Sequence, residues 1–172
     1  MIAPEVKILK FADDIALFAN SQLELNLKSL EQQIKIVFVA LANRKLQLAP
    51  EKCKFVIFNR TNMAVNNNHI KIENITIQLS FHVRFLGIIL DKRLNWDFHI
   101  DYVIKKCEIP IRILSCIRGT WWGADSTTML TLYKTLIRTR IEYAGYFVSP
   151  CKPNLFYRLE KVQLKCMRMA MS

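Results

Sequence analysis

The sequence predicts an α+β fold, and three observations predict it. Residues 1–80 break into short apolar runs of strand length around one long helical stripe. From Asp97 onward, apolar residues recur in steps of three and four, the period of a helix buried on one face. The segment Leu94 to Trp96 separates the two patterns. With 52% hydrophobic and 23% charged residues in 172 positions, the chain can bury one real core or two small ones. No run of eighteen apolar residues free of charge occurs, so no membrane span is expected. Met1 to Lys10 carries Glu5, Lys7 and Lys10 and lacks a secretory core.

The first elements are a pair of apolar runs, Val6 to Phe11 and Ile15 to Ala19, around the acids Asp13 and Asp14. They read as a hairpin with two carboxylates at its tip. Ser21 and Glu24 have capping-box spacing and open a helix to Asn43 with the stripe Leu23, Leu27, Leu30, Ile34, Val37 and Leu41. Phe38, Val39 and Ala40 widen that stripe, so the last turns are expected to be the more deeply buried. Lys54 to Phe58 is a candidate strand, and the polar segment Arg60 to Asn68 a loop. Ile70, Ile72, Ile75, Ile77 and Leu79 alternate around Glu73-Asn74 as a second hairpin. His82 to Leu90 reads as one strand, with Gly87 marking a bulge or a close approach.

In the second half, Asp97 is expected to cap a helix that carries Phe98, Val103, Ile104 and Cys107, and Pro110 to kink or stop it. Another helix starts at Asp125 and uses Met129, Leu132, Tyr133, Leu136, Ile137, Ile141 and Ala144. The last begins near Asn154, with Leu155, Leu159, Val162, Cys166 and Met169 inward. Trp121 and Trp122 lie between two helices, as a hydrophobic plug or a stacking surface.

The formal charge is +11, and it is uneven. Ten basic residues face seven acidic ones in 1–80, against fifteen and seven in 81–172. Such an excess attracts polyanions, nucleic acid foremost, although a scattered excess also serves solubility alone. Five cysteines without a CxxC pair, and three dispersed histidines, exclude a zinc site and a disulfide scaffold. The thiols are expected to be buried or free, in a reducing compartment.

The tetrapeptide Phe11-Ala12-Asp13-Asp14 carries the most chemistry. Adjacent acids repel one another and suit strands poorly, so two of them within an apolar hairpin need a reason. A pair of divalent cations, held roughly 3.5–4 Å apart in phosphoryl-transfer enzymes, would supply one, and hard cations take carboxylate oxygens. The plainer alternative is an ordinary exposed Asp-Asp turn; carboxylates standing in open solvent, far from any cleft that a duplex could occupy, would overturn the whole assignment built on the pair.

Lys10 to Phe18 resembles the aromatic–aliphatic–Asp–Asp catalytic hairpin of reverse transcriptases. The long helix that follows it fits that family. Leu46-Gln47-Leu48-Ala49-Pro50-Glu51-Lys52 through Phe58 resembles a segment of the LINE-type (non-LTR retrotransposon) enzymes, with Ala49 where they place an Asn. Val83-Arg84-Phe85-Leu86-Gly87-Ile88-Ile89-Leu90-Asp91 resembles their primer grip, and Leu159 to Gln163 the segment leaving their thumb.

The resemblance implies a partial polymerase palm over 1–95 (acidic β-hairpin, long helix, small antiparallel sheet) and a helical thumb over 96–172. It implies Asp13 and Asp14 as catalytic metal ligands for Mg²⁺ or Mn²⁺, with Asp13 the more direct. It places Lys52 at the general-acid position, with Lys45 and Lys54 close enough to leave that assignment open. Phe11, Phe85, Leu86 and Gly87 would lie against the primer end, and Lys105, Lys106 and Arg112 along the duplex backbone. Arg118, Lys134, Arg138 and Arg140 are further candidates for that backbone. RNA template and DNA primer are the partners implied for the parent enzyme.

Only ten residues precede Phe11, and the family's third carboxylate, fingers and nucleotide-binding helix lie upstream of that point. The expectation is weak or absent metal binding and no polymerisation by this chain alone. Two other interpretations stand beside this one: a non-catalytic basic module that binds nucleic acid, and an unrelated α/β protein with an accidental Asp-Asp turn.

Overall fold

A computed structural model describes residues 6–20, 23–46, 49–59, 69–72, 75–119, 123–143, 145–148 and 152–171. The architecture is α+β. The chain divides into two compact units, Met1–Leu86 and Gly87–Ser172. The Ser21 cap, Leu48, the Arg60 to Asn68 segment, the Glu73-Asn74 turn, Trp121, Trp122, Ala144 and Cys151 fall outside the described residues.

In the first unit β1 (Val6–Phe11) and β2 (Asp14–Ala19) are antiparallel, with Phe11 opposite Asp14 and Val6 opposite Ala19. Helix α1 (Leu23–Ala42) packs on this hairpin and on β3 (His69–Ile72), which pairs with β4 (Ile75–Gln78). Among the described residues this unit's core holds Leu27 and Ile70, both buried, with Ile34, Phe55 and Ile77 against them. Two expectations are corrected here. The end of α1 is not the deeper part, since Ile36 and Val39 are about 60% exposed and Val37, Phe38 and Leu41 only half-buried, while Leu27 is buried; β3 packs on the helix, with Ile70 beside Leu27. Nor is Lys54 to Phe58 a strand. A short 3₁₀ turn, Pro50–Lys52, leads instead to a single bridge between Phe55 and Leu79, locked by Ser80 N–H donating to Phe55 O at 2.7 Å.

The expected strand His82 to Leu90 is two strands, β5 (His82–Phe85) and β6 (Ile88–Asp91). Leu86 (φ 47°) and Gly87 (φ 81°) both take the left-handed conformation between them, which turns the chain and ends an extended run. A Cβ on Gly87 would meet the Tyr143 ring at 3.3 Å, so the close approach read from the sequence is made by a side chain.

The second unit adds α2 (Asp97–Ile117), α3 (Ser126–Tyr133), a π-helical turn (Lys134–Arg138), α4 (Thr139–Glu142), α5 (Gly145–Val148) and α6 (Pro153–Met171) to β6. Pro110 does not stop α2, which runs on for seven residues with the ring buried. The helix expected from Asp125 begins at Ser126, with Asp125 as its cap, accepting from Thr127 N–H. Helices α2, α3 and α6 bury Ile100, Cys107, Leu114, Ile137 and Cys166 almost completely. Cys107 and Cys166 are free thiols; burial, and for Cys166 also the neighbouring Cys107, raises both, Cys166 to about 11.

The π turn accounts for the apolar spacing around it. Met129, Tyr133 and Ile137 are all buried at successive steps of four, and steps of four drift around a 3.6-residue helix. A wider turn holds them on one side. Hydroxyls of Thr131, Thr135 and Thr139 each donate to the carbonyl four residues back, a bond that loosens and bends helices.

Burial predicts where stability resides. Leu114→Ala should cost about 2–5 kcal/mol, whereas Ile36→Ala, at an exposed site, should change stability by less than about 0.5 kcal/mol. Urea midpoints of the two variants test this.

Candidate functional site

Asp13 and Asp14 come together at the tip of the β1–β2 hairpin. Residues 12 and 13 form its two-residue turn, and Asp14 opens β2 opposite Phe11. The first turn residue must be left-handed for so tight a reversal, and Ala12 adopts φ 51° there, at a cost of about 1–2 kcal/mol for a side chain with a Cβ. Both aspartates are exposed. So are Leu9 (52%) and Phe11 (63%). The premise that the apolar strands bury the acids is therefore corrected: no described element covers this end of the hairpin, and the carboxylates stand in water. A shallow hollow on β3 and β4, lined by His69, Lys71, Thr76 and Gln78, includes neither of them.

Lys52 closes the 3₁₀ turn, its backbone N–H donating to Ala49 O at 3.0 Å, and its side chain is exposed. Among the described residues no ion pair joins it to either aspartate. Phe85, Leu86 and Gly87 are brought together as the end of β5 and the turn after it.

Among the described residues a buried polar cluster stands outside the residues singled out from the sequence. Asp91, at the end of β6, is buried. Its Oδ1 accepts from Arg93 N–H (3.0 Å) and Asn95 N–H (3.1 Å), and its Oδ2 from Trp96 N–H (2.8 Å). These bonds hold Leu94 (φ 54°) and Trp96 (φ 70°) left-handed. Three bonds at about 1 kcal/mol each roughly offset the strain of two such residues. Asp91, not Asp97, thus organises the start of α2, since the cap residue is Trp96 and makes no side-chain bond. Asp97 occupies the first turn, where an acid still favours the helix dipole. His99, also buried, accepts from Ile89 N–H at its Nδ1 (3.3 Å) and meets the Trp96 ring edge-on at 6.3 Å. Burial lowers its pKa. The sequence shows only an aspartate closing an apolar run and a histidine two residues after Asp97, and neither marks burial.

Lys105, Lys106 and Arg112 are exposed on α2. At about 100° per residue, Lys105 and Arg112 share a face, but Ile109, 69% exposed, lies between them. Lys106 sits over the Tyr102 ring at 5.4 Å, and its carbonyl accepts from Arg140. Arg138 pairs with Glu142 at 2.6 Å. The basic residues form a mixed face and not an unbroken stripe.

Residues 1–90 match the family model described as reverse transcriptase (RNA-dependent DNA polymerase). The chain belongs to the reverse transcriptase family. No curated protein and no solved structure matches it. As a member of this family it is placed among enzymes that act on nucleic acids and use divalent metals. Its own donors do not fit a metal pair: among the described residues no group of three or more His, Cys, Asp or Glu side chains comes together, and two exposed carboxylates are a partial cage. Family membership therefore rests on the match over 1–90, not on the surroundings of the acid pair. Among the described residues no helix is long and apolar enough to cross a membrane.

Two outcomes follow for this reverse transcriptase chain. Ala12→Gly should relieve the left-handed strain and stabilise the hairpin by roughly 0.5–1 kcal/mol, read as slower amide exchange along β1 and β2. For His99, the unfolded chain binds a proton that the folded one refuses. Its contribution is whole above its ordinary pKa near 6.5 and falls as the pH drops below it. His99→Asn, which keeps an acceptor and does not titrate, should flatten the acid-side loss of stability by up to about 1.4 kcal/mol per pH unit, measured by urea unfolding between about pH 7.5 and 5.

Proposed function

We propose that residues 1–95 are the remainder of a polymerase palm and residues 96–172 its helical thumb, from a LINE-type (non-LTR retrotransposon) reverse transcriptase. The parent enzyme takes an RNA template and a DNA primer. Asp13 and Asp14 supply two of its Mg²⁺- or Mn²⁺-binding carboxylates, and Lys52 stands at its general-acid position. Phe11, Phe85, Leu86 and Gly87 serve the primer end, while Lys105, Lys106 and Arg112 serve the duplex backbone.

The observation that carries this reading is the order of elements. An acidic two-residue turn, a twenty-residue helix, the Pro50–Lys52 turn, the Leu86-Gly87 turn and a set of helices succeed one another as the motifs of that group do. The proposed boundary at 95 lies beyond the point where the compact units divide, because β6 packs on α2. With a partial carboxylate cage, this chain alone does not polymerise.

A second reading, a basic module that binds nucleic acid without chemistry, is favoured by the fifteen basic against seven acidic residues of 81–172. A photo-crosslinking nucleotide at the primer 3′ end of an RNA–DNA duplex separates the two. The palm–thumb reading expects crosslinks on the peptide holding Phe85 to Gly87 and no primer extension above background. Extension lost on Asp13→Ala would overturn the inactivity. Crosslinks indifferent to the primer end, with neutralised Lys105, Lys106 and Arg112 lowering the salt slope of binding by about two to three, would leave the module reading standing alone.

A further inference from the structure

We propose that Asp91 and His99 are positioning residues that fix β6, and with it the backbone of Gly87, to the start of α2, so that a primer 3′ end meets a turn of set geometry. The proposal rests on reading Phe85 to Gly87 as the primer grip. Three contacts, joined through the strand itself, close a circuit. The Asp91 carboxylate holds Trp96 N–H. The Trp96 ring packs edge-on against His99. The His99 Nδ1 takes Ile89 N–H, and Ile89 lies in the same strand as Asp91.

Ile89 is two residues from Gly87, so the bond to His99 sets where the glycine lies. Tyr143 backs the glycine from another side, its ring 3.3 Å from the place a Cβ would take. Both polar members are buried, Asp91 at 6% and His99 at 3% exposure, and are held by backbone amides instead of by one another. Three of the five non-glycine residues with positive φ among those described, Leu86, Leu94 and Trp96, fall within this short stretch. Strain of that kind persists where the surroundings over-determine the backbone, and it gathers at functional sites.

The alternative is a corner ordered for stability alone. A ratio distinguishes them: the affinity of the full chain for a fluorescein-labelled RNA–DNA duplex with a recessed primer 3′ end, divided by that for a blunt duplex of equal length. The intact chain is expected to favour the recessed end. His99→Phe, which keeps a ring and loses the acceptor, should lower the ratio about two- to tenfold, one hydrogen bond's worth, and His99→Asn should restore it. Asp91→Asn, which keeps Oδ1 and loses the Oδ2 acceptor for Trp96, should lower it as well, and it carries the test if His99→Phe does not fold. Variants that lose stability or bind both duplexes equally less well, at an unchanged ratio, would overturn the proposal. Gly87→Ala separates the layers. If it collapses the ratio while the Asp91 and His99 variants keep it, the grip stands and this inference fails; if the intact chain shows no preference for the recessed end, both fail.

Discussion

Three backbone amides converge on the one buried carboxylate of the second unit, and the way the chain passes from strand to helix depends on it. Without an acceptor at Asp91, the N–H groups of Arg93, Asn95 and Trp96 would need other partners at a corner that closes against the core. Leu94 and Trp96 would also have no compensation for their left-handed backbone. Trp96 begins the core that continues through Ile100, Val103 and Cys107 to Leu114. A polar contact thus sets the register with which an apolar stripe enters its partners, and packing of α2 with α6 and α3 does the rest. The stripe supplies the larger energy, while the carboxylate decides which residues face inward.

The first unit follows the opposite balance. Its buried hydrophobic centre is Leu27 and Ile70, while Leu9, Phe11, Ile36, Val39, Phe58 and Phe81 each leave half or more of their surface in water. Apolar surface of that extent is what a protein ordinarily covers. The electrostatics at the hairpin tip follow from the same fact. In high dielectric, two adjacent carboxylates repel weakly and are well hydrated, so in this chain they need no counter-cation to coexist. A low-dielectric surrounding would change that, as each desolvated carboxylate requires a compensating charge.

Legibility in the sequence tracked how local each signal was. The acidic hairpin, α1, the β3–β4 alternation, the start of a helix at Asp125 and the start of α6 each follow from a handful of adjacent residues, and each is found. Lys54 to Phe58 failed because a strand needs a neighbour as well as a propensity, and only Phe55 has one, in Leu79. His82 to Leu90 is not one strand because Gly87, which the pattern marks as a bulge or close approach, makes a turn together with Leu86. A stop at Pro110 does not occur because tertiary burial of α2 on both sides of the ring outweighs the local cost. For the candidate site, the aspartate pair was legible as a motif, but its surroundings were not: exposure depends on what packs there. Asp91 and His99 act across two to ten residues with backbone partners, and backbone amides leave no mark in a sequence pattern.

Holding a polymer and reacting with it make different demands on a fold, and this chain meets them unequally. Phosphoryl transfer needs several carboxylates converging on two cations, and the hairpin tip presents two, both exposed. Contact with a nucleic-acid backbone needs cations on a surface, each contributing independently, and Lys105 and Arg112 are exposed on one face of α2 with Ile109 between them. Placement of a primer end lies between these demands. It needs a backbone segment of fixed position and no metal. In the second unit β6 is anchored through Ile89 and Asp91, so the backbone that follows Gly87 is fixed by hydrogen bonds and by no charge pair, which is the kind of constraint that such placement requires.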